Sequence, residues 1–241
     1  MAIKKSIQLT KNNQVTIIGA APNINLESEL YAINWFDLKR PKLYDFYNQL
    51  AYPHVKAANG RVHFKGIVTQ KIKGPKENDR EMLLIVRYPD ADSFLSMISN
   101  RMFLLKSALR MKSVDYFTFG FTKRMDQGAQ PLSEPVDYNG KGKYLLFHFQ
   151  NKASSAKIIY ELEEALSGFK VKSHFLGYKA ALVGRSTDGS KLRTQPFLMD
   201  GLCVFEAANE ASLTKFMESK ALQSIIHDNL SNSFYFIERL I

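Results

Sequence analysis

Two periodicities alternate along the chain. Short runs such as Met82-Leu83-Leu84-Ile85-Val86 and Tyr144-Leu145-Leu146-Phe147 are apolar at every position, while longer stretches between them repeat apolar residues at helical spacing. Tyr31–Phe36 predicts a first strand. From Pro41, the residues Leu43, Phe46, Tyr47, Leu50 and Val55 form a helical stripe, with Pro53 a point of kinking and Asn59-Gly60 a left-handed stop. Arg61–Ile72 predicts a long strand, residues 74–79 a polar hairpin loop, and Glu81–Tyr88 a third strand. Asp90 or Asp92 then caps a helix running to about Lys112, and Asp115–Lys123 is a fourth strand. The order β-α-β-β-α-β is that of the ferredoxin-like split βαβ unit.

The same order returns. Leu84, Val86, Leu95, Leu104 and Phe117 match Leu202, Val204, Leu213, Leu222 and Tyr235, each 118 positions later. Val62-His63-Phe64-Lys65-Gly66 matches Ser173-His174-Phe175-Leu176-Gly177 at a shift of 111, so about seven residues are added between them, mainly in a loop over Ser186–Arg193. The second copy predicts strands at Lys143–Gln150, Lys170–Arg185, Leu198–Glu206 and Ser233–Leu240, with helices at Ser154–Leu166 and Glu210–Leu230. The expected organisation is an N-terminal extension with a hairpin (1–30), a ferredoxin-like repeat (31–124), a Gly- and Pro-containing linker (125–142) and a second repeat (143–241). Strands apolar at every position cannot leave one face wet. The pattern therefore predicts an α+β fold in which two tandem ferredoxin-like repeats bury their second faces against each other as a closed or nearly closed barrel.

Composition narrows the classes. The chain has 241 residues, 45% hydrophobic and 12% aromatic, which fits a globular protein with a large core. Its single cysteine, Cys203, excludes an internal disulfide and fits a reducing compartment. No apolar run reaches the roughly twenty residues of a membrane span. The run Val15–Ala21 is short and preceded by polar residues, a poor signal peptide, so a soluble cytoplasmic protein with no membrane partner is expected. The net charge of +10 is spread in small groups, Lys4-Lys5, Lys71-Lys73-Lys76 and Lys141-Lys143. No run is dense enough for a nucleic-acid tail, and nucleic acid is not the expected partner.

Asp37-Leu38-Lys39-Arg40-Pro41-Lys42-Leu43-Tyr44-Asp45-Phe46-Tyr47, followed by Asn59-Gly60-Arg61, resembles the dimeric α/β-barrel superfamily. Within it, the match is to an uncharacterised bacterial branch that carries Asp-Pro-x-x-Tyr-x-x-Tyr and Gly-Gly-Arg. Tyr88-Pro89-Asp90-Ala91 and Leu104–Arg110 are similar to further stretches of that branch, and Asn59 replaces its first glycine. The resemblance covers residues 31–123; the second copy matches only in pattern. It implies an intrachain barrel of the dimeric type, in a monomer or a homodimer. The superfamily's activities include cofactor-independent oxygenases, isomerases and haem enzymes, so the fold alone selects none.

The polar residues set in apolar strands are the candidates for chemistry. His63 and His174 precede Phe-x-Gly on equivalent strands, and His148 lies in Leu146-Phe147-His148-Phe149. All three are candidate proton-handling, catalytic groups, because imidazole titrates near neutral pH. The structural alternative is an ordinary hydrogen-bonded histidine, since a polar group left without a partner in such a strand costs about 1–3 kcal/mol. Asn34 with neighbouring Trp35, Arg87 with Tyr88, and Glu206 are candidate ligand-binding residues; strand-end charges such as Arg87 and Glu206 otherwise reach water. His54 and His227 lie on helices, and the resemblance makes His227 the haem ligand if haem binds. No HxxxH or HExxH spacing is present, so no metal site and no cofactor are expected. Phe117–Phe121 beside Lys123-Arg124 is a weak match to an RNA-recognition strand and reads better as buried.

These features predict a protein that binds a small aromatic or anionic ligand. If it is an enzyme, it is a cofactor-independent oxygenase or isomerase. The alternative is a non-enzymatic module whose basic surface meets an acidic protein or nucleic acid, and a haem-binding enzyme is the third reading.

Overall fold

A computed structural model describes residues 16–18, 27–124, 142–149, 155–166, 168–184, 194–196, 199–226 and 232–240. The strands are β1 (Thr16–Ile18), β2 (Leu30–Leu38), β3 (Arg61–Lys73), β4 (Met82–Tyr88), β5 (Val114–Arg124), β6 (Lys143–Phe149), β7 (Val171–Gly184), β8 (Thr194–Pro196), β9 (Gly201–Ala207) and β10 (Ser233–Arg239). The helices are α1 (Pro41–Ala57), α2 (Ala91–Ser99), α3 (Arg101–Ser113), α4 (Ser155–Ala165), α5 (Glu210–Met217) and α6 (Lys220–Ile226). The fold is α+β. Most of the N-terminal extension in which a hairpin is expected, the linker and the Ser186–Arg193 loop fall outside the described residues; β1 pairs antiparallel with Leu182–Gly184 of β7. The chain forms two compact units: Met1–Lys65 with Arg80–Thr122 and Ala180–Phe197, and Gly66–Asp79 with Lys123–Lys179 and Leu198–Ile241.

In the first unit the strand order is β3-β4-β2-β5-β8. β2 runs antiparallel to β4, with Tyr31 opposite Arg87 and Phe36 opposite Met82. Alternate side chains take opposite faces. Leu30, Ala32, Phe36, Val86, Tyr88 and Phe119 pack under α1, α2 and α3. Tyr31, Ile33, Trp35, Leu83 and Ile85 take the other face and are equally buried. Each such side chain withdrawn from water contributes roughly 1.5–3 kcal/mol, so both faces matter to stability.

The helical stripe on α1 differs from the one expected. Tyr44, Tyr47 and Ala51 are buried, whereas Phe46 is 51% exposed. Tyr44 lies 5.1 Å from Phe36, so the phenol ring, and not Leu43 or Phe46, anchors the helix on the sheet. Pro53 is accommodated without ending the helix. Asn59 supplies the left-handed turn, with φ of 53°. Gly60 serves a separate purpose: a Cβ there would meet the Tyr88 ring at 2.7 Å and Val55 at 2.8 Å.

The helix expected from residue 90 to 112 is two helices. Asp90 caps α2 by accepting from Ser93 N. Asn100 then leaves helical geometry, with ψ of 121°, and its Oδ1 accepts from Met102 N and Phe103 N, starting α3. The stretch 210–230 likewise breaks after Met217; Asn209 caps α5 and Ser219 Oγ accepts from Leu222 N at the start of α6. Hydrophobic spacing carries across both breaks, so only the capping side chains reveal them.

In the second unit the order is β7-β9-β6-β10-β3, with Gly66–Lys73 of β3 paired to β10. Leu145, Phe147, Phe149, Cys203, Phe205 and Ala207 face Ile159, Leu162, Leu213, Phe216 and Leu222 of the helices. Tyr144, Leu146, His148, Leu202, Val204 and Glu206 occupy the opposite face, all buried. Gly201 stands opposite Phe149; a Cβ there would lie 1.9 Å from Phe149 Cζ.

Two stability changes follow from these contacts. Gly201→Ala should destabilise the second unit by about 1–3 kcal/mol, because the Phe149 ring must shift within a packed sheet. Asn100→Ala should cost about 1 kcal/mol through loss of the α3 cap. Urea unfolding followed by circular dichroism measures both.

Candidate functional site

On a strand buried on both sides, a polar side chain must find its partner inside the protein. Tyr144 on β6 and Glu206 on β9 stand directly opposite each other, and Tyr144 Oη donates to Glu206 Oε1 at 3.0 Å. The other carboxylate oxygen lies 3.5 Å from His174 Nδ1. The imidazole meets the Tyr144 ring edge-on, with centroids 5.7 Å apart. Arg239 on β10 donates from Nη1 to Tyr144 Oη at 3.4 Å. Burial raises the Tyr144 phenol and Glu206 adds to the shift, while the bond from Arg239 opposes it. His174 and Glu206 are 4% and 1% exposed.

Local backbone geometry brings His174 to this place. In the β7–β9 ladder Ser173 pairs with Phe205 and Phe175 with Val204, so His174 is the extra residue of a β-bulge. A bulge turns its strand and re-aims the side chain. The strand pattern places His174 on β7 but does not reveal this change of register.

The first unit holds a related group with its charges exchanged. Tyr31 stands opposite Arg87. Glu29 accepts hydrogen bonds from both the Tyr31 hydroxyl and the Arg87 guanidinium, and that bond from Glu29 raises the pKa of Arg87. The half-buried His63 meets the Tyr31 ring edge-on at 5.2 Å. Tyrosine, histidine, arginine and glutamate therefore recur. Here the strand carries the cation, whereas in the second unit it carries the carboxylate.

The remaining candidates separate. His148 is fully buried in the second unit, 5.5 Å from the Tyr235 ring. Burial pushes its imidazole down to about 3, so it is neutral at physiological pH. Asn34 Nδ2 donates to the carbonyls of Ala32 and Leu84, which accounts for an amide in an apolar strand. Trp35 is a buried side chain on the face away from the helices. Tyr88 packs on the helix side with Tyr47 and Arg110. His54 sits on α1 with its Nε2 2.9 Å from Lys106 Nζ. His227 lies outside the described residues. Among the described residues no three His, Cys, Asp or Glu side chains form a metal-holding group, and no helix is long and apolar enough to cross a membrane.

Tyr144, Arg239, Tyr31 and Glu29 escaped the sequence reading. A tyrosine opening the first strand of each copy, in company with the repeated histidine, was the available signal.

No family model matches the sequence, and no curated protein is similar to it. Solved structures match its fold. A candidate monooxygenase from Fusobacterium nucleatum aligns with a TM-score of 0.51 at 12% identity, covering 90% of this chain and 94% of its own. An anthrone oxidase-like protein gives 0.52 at 9% identity, with the same coverage of 90% and 94%. A protein of unknown function from Rhodopseudomonas palustris aligns with 39% of this chain and 81% of its own at 18% identity, with a TM-score of 0.37. The first two comparisons establish an α+β fold matching dimeric α/β-barrel proteins.

Proposed function

We propose that the chain binds a small aromatic molecule and that His174, backed by Glu206 and positioned with the help of Tyr144, takes a proton of that ligand, in a cofactor-independent oxygenase or isomerase. The observation that carries this reading is the buried Glu206 carboxylate set against His174 on a bulged strand. Desolvating a carboxylate costs several kcal/mol, and apolar side chains of the same volume commonly stabilise a core better. A group kept against that cost, amid Leu146, Leu202 and Val204, suits a chemical role. The recurrence of tyrosine and histidine in both units, together with the same order of elements, supports reading the chain as a tandem duplication.

With Nδ1 facing Glu206 at 3.5 Å, the imidazole takes a proton from an acidic C–H or O–H of the ligand through Nε2. Glu206 then stabilises the imidazolium, and Tyr144 holds the carboxylate in place. In the oxygenase form, proton removal leaves an electron-rich carbanion that reduces dioxygen. One oxygen atom is retained as a new carbonyl and the other leaves as water. Anthrone, which the name of one structural neighbour suggests, has such a C–H and is the substrate to test.

Oxygen uptake with anthrone should fall about 100-fold or more in His174→Gln and in Glu206→Gln. It should fall only a few-fold in Tyr144→Phe, because the phenol acts through the carboxylate. Wild-type rates in both of the first two variants, or neither oxidation nor binding of anthrone by the native protein, removes the reading.

His148 serves in this reading as a neutral polar group, and its burial makes stability depend on pH. The unfolded chain protonates the imidazole near pH 6.5, the folded protein only near 3. The folded state therefore binds fewer protons between these values. Its stability is intact above 6.5 and falls as pH drops, by about 1.4 kcal/mol per unit at most from this group. His148→Phe should flatten the loss of urea stability between pH 6.5 and 5 relative to the native chain.

A further inference from the structure

The helix side of the first unit contains a cation without a counter-ion. Arg110 on α3 lies over the Phe117 ring at 4.4 Å and the Tyr47 ring at 5.9 Å. Its Nε is shielded from solvent and makes no hydrogen bond. Among the described residues no carboxylate forms an ion pair with it. Asp45, which acts on the adjoining Tyr44, is exposed on α1. Lys65 adds a second positive charge, 5.9 Å from the Tyr44 ring.

Three phenols share this part of the core: Tyr47 under the guanidinium, Tyr44 with its ring 6.1 Å from that of Tyr47, and Tyr88 in the same cluster. Tyr44 and Tyr88 are 2% and 3% exposed. Burial raises both phenols, Tyr47 adds to that, and Arg110 draws them back; a hydrogen bond with Asn48 also lowers Tyr44. Tyr88 Oη has the Met97 thioether at 3.6 Å, a weak acceptor. Gly60 keeps room for the Tyr88 ring, which a Cβ at that position would displace.

We propose that Arg110 with the hydroxyls of Tyr44, Tyr47 and Tyr88 forms an oxyanion site in the first unit, which takes the carboxylate of a small aromatic acid. The fork of a guanidinium matches a planar carboxylate through two parallel hydrogen bonds. The phenols supply further donors, and the flanking rings suit an aromatic body. All four residues belong to the first unit, so the inference stands apart from the reading of His174 and Glu206.

Benzoate and inorganic phosphate, titrated into the full chain and followed by calorimetry, test it. Saturable benzoate binding is expected. Arg110→Lys, which keeps the charge and loses the fork, should weaken it about tenfold. Tyr88→Phe, which keeps the ring, should weaken it about threefold or more. Circular dichroism of both variants should match the native chain. Absence of saturable benzoate binding overturns the proposal, as does undiminished affinity in both variants. Saturation by phosphate with none by benzoate overturns the carboxylate assignment.

Discussion

The governing constraint is that the central strands of each unit, β2 and β4 in the first and β6 and β9 in the second, are buried on both faces along most of their length. Water reaches neither side of residues 30–36 of β2 or 144–149 of β6, so a hydroxyl, imidazole or carboxylate there must be satisfied from within. Polar side chains on such a sheet consequently cluster. Tyr144 meets Glu206, and Tyr31 meets Arg87, as directly opposed cross-strand pairs. Asn34 turns to backbone carbonyls instead. The sheet thus concentrates its few polar groups at a small number of addresses.

The two tyrosine–histidine groups show how alike motifs acquire different electrostatics. In the first unit Glu29 neutralises Arg87 and also engages Tyr31, and His63 meets the tyrosine ring edge-on. In the second, Glu206 occupies the strand position itself and faces the histidine. A carboxylate beside an imidazole stabilises its protonated form, the state a base reaches after accepting a proton. Exchange of the two charges therefore places a carboxylate beside the histidine of the second group, where the first has its carboxylate on the arginine and tyrosine. His148, on the same face, is held neutral by burial.

The helix layer follows different rules. α2 and α3 are separate because Asn100 offers its side chain to two backbone N–H groups, a local gain that the continuing apolar spacing does not resist. Tyr44, Tyr47, Tyr88 and Arg110 come from α1, β4 and α3, and they meet because each helix lays one stripe on the same sheet face. Arg110 stays among aromatic rings, since a guanidinium is weakly hydrated and stacks well on them.

What the sequence by itself determined is the succession of strands and helical stretches, most of their approximate limits and the burial of the central strands on both faces. Those properties follow from periodicity, which is local: uninterrupted apolar strands at 82–86 and 144–147, amphipathic stretches between them, and turn residues at 59–60 and 74–79. The repeated His63 and His174 were legible for the same reason. The tertiary structure decided which side chains meet. Glu206 and His174 are brought together by strand pairing and by a one-residue bulge, and the turn of α1 that buries Tyr44 while exposing Phe46 was settled by the surface it packs on. Neither outcome is written in spacing along one element, because register and helix rotation are fixed by contacts between residues far apart in the chain.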